Sequence, residues 1–268
     1  MEISNQKYIE QGYLLIPNFF ESSLTEKIRE EILTYSHGKN NQYAVYKYPE
    51  KFRRLLSYKF FRKNDFNISD LNIMLTMILS TRLQNLKKLR KSLDLKKLYL
   101  IDSYLSAITN NNITKWHCDQ AYGGATDPGL YFNGMRELLP TSHINRVFVY
   151  LTNTEVGNGC FSYLPGSHKV GTAIRNMINM NLMQYRPFYE LKDGLSIVSE
   201  NKKMLTDNKL LGEDEINCFL KHGELALSGR QDYCLESPAG SMIVFNDLGY
   251  HQGTAPTKTE RLVMRYWF

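Results

Sequence analysis

The 268-residue sequence lacks the features that mark several large classes of protein. Its four cysteines are widely spaced and contain no CxxC pair, which is poor material for a zinc cage or a disulfide framework, so we expect reduced thiols. No apolar run is long enough to span a membrane, and the short apolar stretch near the N-terminus is interrupted by Pro17, which also argues against a signal peptide. Low-complexity tracts are absent too, and a hydrophobic content of 43% predicts a folded globular protein, with the cytoplasm as its expected location.

The charge is basic, at +6, and much of it is concentrated in residues 82–98. This segment carries seven Lys or Arg residues and six leucines, a pattern typical of a helix with a solvated basic face above an apolar stripe. An alternative interpretation is contact with an anionic surface such as a membrane or glycolipid. Nucleic acid is not an expected partner.

Two helices precede a region of strands. Ser23 and Glu26 form a capping-box pattern that predicts a helix over about 22–36, and an apolar stripe predicts a second helix from about Ser69 into the basic segment. Short strand patterns with turn residues between them then follow at 97–108, 146–152, 160–165, 223–229, 241–247 and 261–268. These features favour an antiparallel barrel or sandwich in a single domain, 1–268.

The stretch from about 171 to 221 has few strand patterns and is rich in Asn, Lys and Met. A segment of about fifty residues within a β core is too long for a plain connection. Such insertions often form a lid or bind substrate. We therefore expect substrate selectivity to reside there.

The motif WHCDQ, residues 116–120, is the first candidate for chemistry. If this segment is extended, His117 and Asp119 point to the same side, so that both can reach one cation. Two histidines and one carboxylate on one face of an octahedron form the iron(II) site of many oxygenases. Such a site would need a second histidine from elsewhere in the chain.

Five other histidines could supply that ligand. His168 follows a tight Pro-Gly-Ser turn, and His251 precedes a glycine, two threonines and Arg261 on the last predicted strand. The remaining three fit loop or turn positions and are interpreted as having no metal role: His37, His143 and His222. The residues alone leave His168 and His251 open.

Four sequence blocks together resemble the phytanoyl-CoA dioxygenase family of Fe(II)- and 2-oxoglutarate-dependent oxygenases. They are YIEQGYLLIPNFF, WHCDQAY, NGCFSYLPGSHKVG and HQGTAPTKTERLVMRYWF, and they span nearly the whole chain. The resemblance implies a double-stranded β-helix, that is, a mainly β jelly-roll or cupin-like barrel with flanking helices. It also implies Fe(II), 2-oxoglutarate and dioxygen as cofactor and co-substrates.

The same resemblance implies roles for individual residues. His117, Asp119 and His251 are the implied iron ligands, which places His168 in the turn and outside the metal site. Arg261 matches the arginine that binds the distal carboxylate of 2-oxoglutarate, with a hydroxyl from Thr254 or Thr257 beside it. Arg265, four residues further along, lies on the same face of a regular strand, but the spacing of Arg261 matches the family better.

The expected activity is hydroxylation of an unactivated C–H bond of a small molecule, such as an amino acid, a natural product or a sugar. Asp119 fills a coordination site that a halide would need, which favours hydroxylation over halogenation. Trp116, Tyr122 and Arg146 are candidate substrate contacts, although an aromatic residue at such a place often serves packing alone. The alternatives are a metal-binding sensor or catalytically silent member of the same fold, and an oxygenase recruited to a lipid-linked or anionic substrate through residues 82–98.

Overall fold

A computed structural model of the chain describes residues 4–37, 45–46, 84–93, 95, 100–120 and 145–267. Its helices are α1 (Asn5–Gln11), α2 (Ser22–His37), α3 (Gln84–Ser92), α4 (Ser167–Asn179), α5 (Leu191–Glu200), α6 (Lys202–Asp207) and α7 (Glu213–Leu227). Its strands are β1 (Tyr13–Ile16), β2 (Val45–Tyr46), β3 (Leu100–Ser106), β4 (His117–Asp119), β5 (Asn145–Tyr150), β6 (Phe161–Tyr163), β7 (Phe188–Glu190), β8 (Cys234–Leu235), β9 (Met242–Asn246), β10 (His251–Gly253) and β11 (Arg261–Trp267).

The strands form two antiparallel sheets. The large sheet has the order β1-β9-β5-β11-β3-β2, and the small sheet has the order β7-β4-β10-β6-β8. Along the chain, β3 to β6 alternate between the large and the small sheet, and β8 to β11 alternate again from small to large. This order is that of a double-stranded β-helix, so the predicted fold class is confirmed.

The two sheets share an inner core. Residues on alternate positions of β5, β9 and β11 meet residues of β6 in one buried cluster: Tyr150, Phe161, Tyr163, Ile243, Phe245 and Val263. Because side chains alternate along a strand, the intervening residues of the large sheet point to its other face. That outer face is apolar as well, and its buried residues pack against α2 and α3 through Ile28, Leu86 and Leu89.

The outer face of the small sheet is covered by the helices α4 to α7. Cys118 of β4 joins a buried cluster with residues from each of these helices, among them Ile174, Val198, Leu205 and Phe219. The stretch predicted as an insertion thus contributes mainly helices, which pack against the back of the strands β4, β10 and β6. Its function as a lid stays a prediction.

Residues 223–229 were predicted as a strand, and that prediction is wrong. Residues 223–227 are the last turn of α7 and 228–229 form the turn after it. This helix begins with three acidic residues after Gly212 and buries Ile216, Phe219, Gly223 and Ala226. Acidic residues stabilise the first turn of a helix, and the buried positions recur every three or four residues. The residues interpreted as a strand therefore lie at the C-terminal end of a longer helix with one buried face.

The described part of the basic segment agrees with the amphipathic helix expected there. In and just after α3, Leu86, Leu89 and Leu93 are buried, whereas Lys87, Lys88 and Lys91 are exposed. The apolar stripe is thus used for packing against the large sheet. Contact of the basic face with an anionic surface stays a prediction.

The expectation of reduced thiols is wrong for one pair. Cys160 and Cys234 form a disulfide that links β6 to the edge strand β8, with their Cα atoms 5.8 Å apart. The sequence could not reveal this pairing because 74 residues separate the two cysteines. Among the described residues, Cys118 and Cys218 are free thiols.

No helix in the described part of the chain is long and apolar enough to cross a membrane. The cytoplasmic location stays a prediction.

Candidate metal centre

His117, Asp119 and His251 meet on the inner face of the small sheet. In the register of β4 and β10, His117 lies directly opposite His251. Asp119 follows two residues later on the same side of β4, as the strand period requires. One ligand atom from each residue lies within 4.8 Å of the others. The structure therefore brings together the three residues that the sequence predicted as metal ligands, while their role as ligands stays a prediction.

Both imidazole rings are oriented to present Nε2. Nδ1 of His117 lies 2.7 Å from the carbonyl oxygen of Lys115, and Nδ1 of His251 lies 2.8 Å from that of Gly249. A carbonyl oxygen only accepts, so each Nδ1 carries the proton and each Nε2 keeps its lone pair. Burial lowers the pKa of His251 to about 3, which keeps this ring neutral and able to bind a metal.

The Asp119 carboxylate is oriented by a buried arginine. Nη2 of Arg146 donates to Oδ2 of Asp119 at 2.8 Å, while Oδ1 lies 3.7 Å from Nε2 of His117. Arg146 also forms an ion pair with Asp247. Burial raises the pKa of Asp247 above its ordinary value, although the positive charge of Arg146 opposes this shift. One carboxylate oxygen of Asp119 is therefore occupied by Arg146, and the other faces the imidazoles. Sequence reasoning missed Asp247, because a single aspartate before a turn carries no distinguishing pattern.

A second arginine supports the residue after Asp119. Nη2 of Arg175 donates to the carbonyl oxygen of Gln120 at 2.7 Å, and Nε donates to the Gln120 side chain at 3.2 Å. The amide nitrogen of Gln120 in turn donates to the carbonyl oxygen of Gly171 at 3.0 Å. Both partners belong to α4, so this helix fixes the end of β4. The motif WHCDQ thus owes its conformation partly to the stretch predicted as an insertion.

Arg261 lies beside Gly253, two residues beyond His251 on the inner face. A Cβ atom built on Gly253 would be 3.6 Å from both terminal nitrogens of the guanidinium. Arg261 is buried and donates to the carbonyl oxygen of Gly159 at 3.2 Å and to Oγ of Ser106 at 3.5 Å. Residues two apart on a strand are about 7 Å apart, so the guanidinium sits roughly that far from the metal ligands along the sheet.

A buried hydroxyl group near Arg261 is left without a protein partner. The Tyr150 hydroxyl has no hydrogen-bond partner within the ranges that the structure covers. Burial raises the pKa of Tyr150 to about 12, against the opposing charge of Arg261. A buried polar atom without a partner is costly, and a ligand carboxylate would satisfy it. Arg261, Ser106 and Tyr150 therefore fit the distal end of a dicarboxylate. No sequence pattern pointed to Ser106 or Tyr150.

The other predicted contacts have different surroundings. The Thr254 hydroxyl donates to the carbonyl oxygen of Cys160 at 2.6 Å, and that of Thr257 donates to the carbonyl oxygen of Gly157. Trp116 is buried among the helices behind the small sheet, and Arg146 lies against Asp119. Tyr122 lies outside the described residues. The roles of all these residues toward co-substrate or substrate stay predictions.

Two further histidines have structural partners. His168 lies in the first turn of α4, and its Nε2 is 3.0 Å from the carbonyl oxygen of Ile9. His222 lies within α7, where its Nδ1 is 2.8 Å from the Tyr233 hydroxyl. Neither belongs to the three-residue group around His117. His143 lies outside the described residues.

Phe188 forms an apolar wall beside the first histidine. It is the register partner of Asp119 on the edge strand β7, and its ring centroid lies 6.3 Å from that of His117. Although it adjoins buried residues, Phe188 is 40% exposed. The metal group therefore opens toward solvent on this side, past an aromatic ring.

Comparison with solved structures gives relatives of the same fold. HygX from Streptomyces hygroscopicus, with nickel and 2-oxoglutarate bound, matches with a TM-score of 0.51 at 13% identity, over 99% of this chain and 87% of that one. The epimerase SnoN, in complex with Fe3+, alpha ketoglutarate and nogalamycin RO, matches with a TM-score of 0.50 at 14% identity, over 98% of this chain and 80% of that one. At such identities the likeness shows the fold alone.

Comparison of sequences gives the family. No curated protein matches the chain. The profile of the family described as phytanoyl-CoA dioxygenase (PhyH) matches residues 8–193, more than half of the sequence. This match includes the WHCDQ motif and the turn that carries His168. The chain belongs to the phytanoyl-CoA dioxygenase family.

Proposed function

We propose that this protein is an Fe(II)- and 2-oxoglutarate-dependent dioxygenase that hydroxylates an unactivated C–H bond of a small molecule. One observation carries the proposal: the ligand atoms of His117, Asp119 and His251 converge within 4.8 Å, and Arg261 lies beside Gly253, two residues along the strand from His251. The rise of a strand puts these two points roughly 7 Å apart. A five-carbon dicarboxylate is long enough to bridge these two points.

The donor set suits iron(II). Two imidazole nitrogens and one carboxylate oxygen on one face leave other coordination positions open for a co-substrate and dioxygen. A catalytic zinc site can use similar ligands, but it has no need of a buried arginine and two hydroxyl groups beside it. Arg261, Ser106 and Tyr150 therefore support 2-oxoglutarate as the second component. When bound, iron(II), 2-oxoglutarate and dioxygen supply the oxidising power that breaks the C–H bond, with release of succinate and CO2.

The protein's own residues bind and orient these components. Arg146 holds Oδ2 of Asp119 and leaves Oδ1 directed toward the metal position. Arg261 neutralises the distal carboxylate, and its planar fork fixes the direction in which that carboxylate lies. The aromatic and aliphatic core between the sheets excludes water from the inner side of the site. In the described part of the chain, the metal position lies beside an opening at Phe188 through which a substrate would enter.

The choice of hydroxylation rests on Asp119. Its carboxylate occupies the position that a halide would take, so halogenation is disfavoured, whereas desaturation and epimerisation begin with the same hydrogen abstraction. SnoN, one of the similar structures, is an epimerase. We retain hydroxylation as the proposed reaction. Analysis of the product's mass decides this point, since hydroxylation alone adds one oxygen atom.

We propose that the substrate is an amino acid, a natural product or a sugar, and that it is contacted by part of the stretch 171–221. Phe188 belongs to this stretch, and its ring lies beside that of His117. Met180 and Leu182, in the same connection between α4 and β7, are also exposed. An exposed apolar side chain beside a metal group, as at Phe188, is typical of a surface that a substrate covers. The bound nogalamycin compound of SnoN supports a small molecule as the class.

The test is an anaerobic titration of the purified protein with iron(II) and then 2-oxoglutarate, followed by exposure to dioxygen. We expect the weak visible charge-transfer band of the iron chelate and then slow succinate release without any substrate. A folded, iron-loaded protein that gives neither the band nor succinate would contradict the proposal. The band without succinate would instead favour a binding or sensing member of the family.

A further inference from the structure

A cavity of about 260 Å³ lies behind the small sheet, on the face opposite to the metal group. Its lining includes Trp116, Ser162 and Gln252, which occupy the positions next to His117, Phe161 and His251. Since side chains alternate across a strand, these three point away from the metal. The end of α7, the turn at 229–231, the loop before β4 and residues 254–257 form its other walls, and the cavity is partly open to solvent. A molecule bound here would be separated from the metal group by the sheet itself.

Several hydrogen-bonding groups in this cavity are not used by the protein. The Trp116 side chain belongs to a residue only 8% exposed, and no described residue accepts a hydrogen bond from its indole N–H. Within the described ranges the side-chain amides of Gln252, Gln231 and Asn110 have no partner either. Ser162 is buried, and its hydroxyl meets only the disulfide sulfur of Cys234, at 3.4 Å. Gln231 and Asn110 are exposed and Gln252 is half-buried, so a polar ligand would gain hydrogen bonds mainly from the buried residues Trp116 and Ser162.

The charge of the lining limits the class of ligand. Arg230 is the one charged residue of the lining, and it forms an ion pair with Asp232 at 2.6 Å. No carboxylate or histidine lines the cavity in the described part of the chain. A ligand with a net charge would therefore lack a counter-charge. Amides and hydroxyl groups, by contrast, match the alternating donors and acceptors of a neutral polyhydroxylated molecule.

The size and the aromatic residue narrow the class further. Pockets for drug-sized ligands span about 300–1,000 Å³, so a cavity just below that range suits a single small ring. The Trp116 ring packs edge-to-face against Tyr233, and the part that lines the cavity offers apolar atoms beside one polar N–H, which suits the C–H groups and hydroxyls of a sugar ring. We propose that this cavity binds a neutral monosaccharide, or a single neutral sugar unit of a larger molecule, at a site distinct from the oxygenase centre.

Tryptophan fluorescence provides a direct test, because the chain has two tryptophans, Trp116 and Trp267. In a Trp267→Phe variant the emission comes from Trp116 alone. Titration with neutral hexoses and N-acetylhexosamines should give a saturable change in emission. A hexuronic acid and a hexose phosphate serve as charged controls, and they should give none. A lack of saturation with every neutral sugar, or equal binding of the charged ones, would overturn the proposal.

Variants then locate the binding. Gln252→Leu should weaken the affinity roughly fivefold or more, as expected for the loss of neutral hydrogen bonds. If Gln252→Leu does not fold, Gln231→Ala on the exposed turn provides the same test. Gln6→Leu, a glutamine on α1, is the matched control and should have no effect. His251→Ala removes a metal ligand but should leave sugar binding intact; loss of binding in that variant, with normal binding in the cavity variants, would place the sugar at the metal group instead.

Discussion

The two sheets of this protein differ in how they hold their strands. The large sheet contains two strands of seven residues, β3 and β11, joined by seven register pairs and packed on both faces by apolar residues. The strands of the small sheet are two or three residues long. They nevertheless carry all three candidate metal ligands. Short strands cannot fix side chains by ladder hydrogen bonds alone, so the small sheet depends on arginines, helices and a disulfide around it.

This difference separates stability from chemistry. The large sheet provides the folded framework, and the small sheet presents the ligands from a surface that is held by side-chain contacts. Removing a ligand should therefore abolish metal binding and leave the fold intact. Truncating a core residue of the large sheet should lower the free energy of unfolding and leave the metal affinity of the folded protein unchanged. If one of the following predictions fails, stability and metal binding are not divided between the two sheets in this way.

The largest effect is expected for His251→Ala. Loss of a ligand should lower iron(II) affinity by more than the roughly 100-fold that is lost when an outer residue around a metal is removed. The charge-transfer band with 2-oxoglutarate should vanish, while circular dichroism stays unchanged. His168→Ala is the matched control and should retain the band. Val244→Ala, in the apolar outer face of the large sheet, should lower the free energy of unfolding by about 2 kcal/mol without changing the iron affinity of the folded protein.

The next effect concerns co-substrate binding. Arg261→Ala should weaken the affinity for 2-oxoglutarate roughly 100-fold, because a buried carboxylate would lose its charged partner. Iron(II) affinity without the co-substrate should remain. Arg265→Ala tests the other arginine on the inner face of β11 and should have a smaller effect. If Arg265→Ala weakened 2-oxoglutarate binding and Arg261→Ala did not, the carboxylate site would have to be moved along the strand.

The disulfide should matter more to the small sheet than its position at the edge strand β8 suggests. Replacing both Cys160 and Cys234 by serine should lower the free energy of unfolding by about 4 kcal/mol if the 74-residue loop they close acts through chain entropy. Denaturant unfolding measures this, and a reducing agent should have the same effect on the original protein. Cys218→Ser, at an exposed free thiol, should change nothing. Equal stability of the double serine variant would show that the small sheet needs no covalent link.

The arginine behind Asp119 should have an intermediate effect on the metal. Arg146→Met keeps the length of the side chain but removes the hydrogen bond to Oδ2, so iron(II) affinity should fall about 10- to 100-fold. Anaerobic iron titration measures this, and the charge-transfer band should still form at higher iron concentration. Arg186→Met, which removes an exposed ion pair with Asp193, is the control. An unchanged affinity in Arg146→Met would mean that β4 alone orients the carboxylate.

The long strands and the metal group could be predicted from sequence for different reasons. The strands β3, β5, β9 and β11 have apolar residues on both faces, and this pattern can be recognised in the sequence without knowledge of the fold. The three ligands were assigned by family resemblance, since the residues alone left His168 and His251 open. What separates these two histidines is contact across the sheet: His251 pairs with His117, whereas His168 meets the carbonyl oxygen of Ile9.

The residues that support the site could not be predicted. Arg146 was assigned to substrate, and its contact with Asp119 and Asp247 depends on β4, β5 and the end of β9 meeting in space. Ser106 and Tyr150 are ordinary strand residues until β11 places Arg261 beside them. The helix α7 was partly mistaken for a strand because a short apolar window fits both periods. Local patterns thus reveal elements, and pairings between distant segments reveal the site.

The smallest predicted effect is a pH dependence of stability that arises from His168. Burial lowers the pKa of this histidine, so the folded protein keeps it neutral at a pH where the unfolded chain begins to bind a proton. The sign follows from this: its contribution is complete above the unfolded pKa of about 6.5 and is lost as the pH falls below that value, by at most about 1.4 kcal/mol per pH unit. Denaturant unfolding at pH 7 and pH 5 should therefore show a smaller loss of stability in His168→Gln, which cannot take up a proton. Nε2 of His168 contacts the carbonyl oxygen of Ile9, so the histidine links α1 to α4, the helix that supports β4. Protonation of His168 would therefore act on this junction. An identical pH dependence in the variant would show that the junction tolerates a charged imidazole and that the small sheet is held without it.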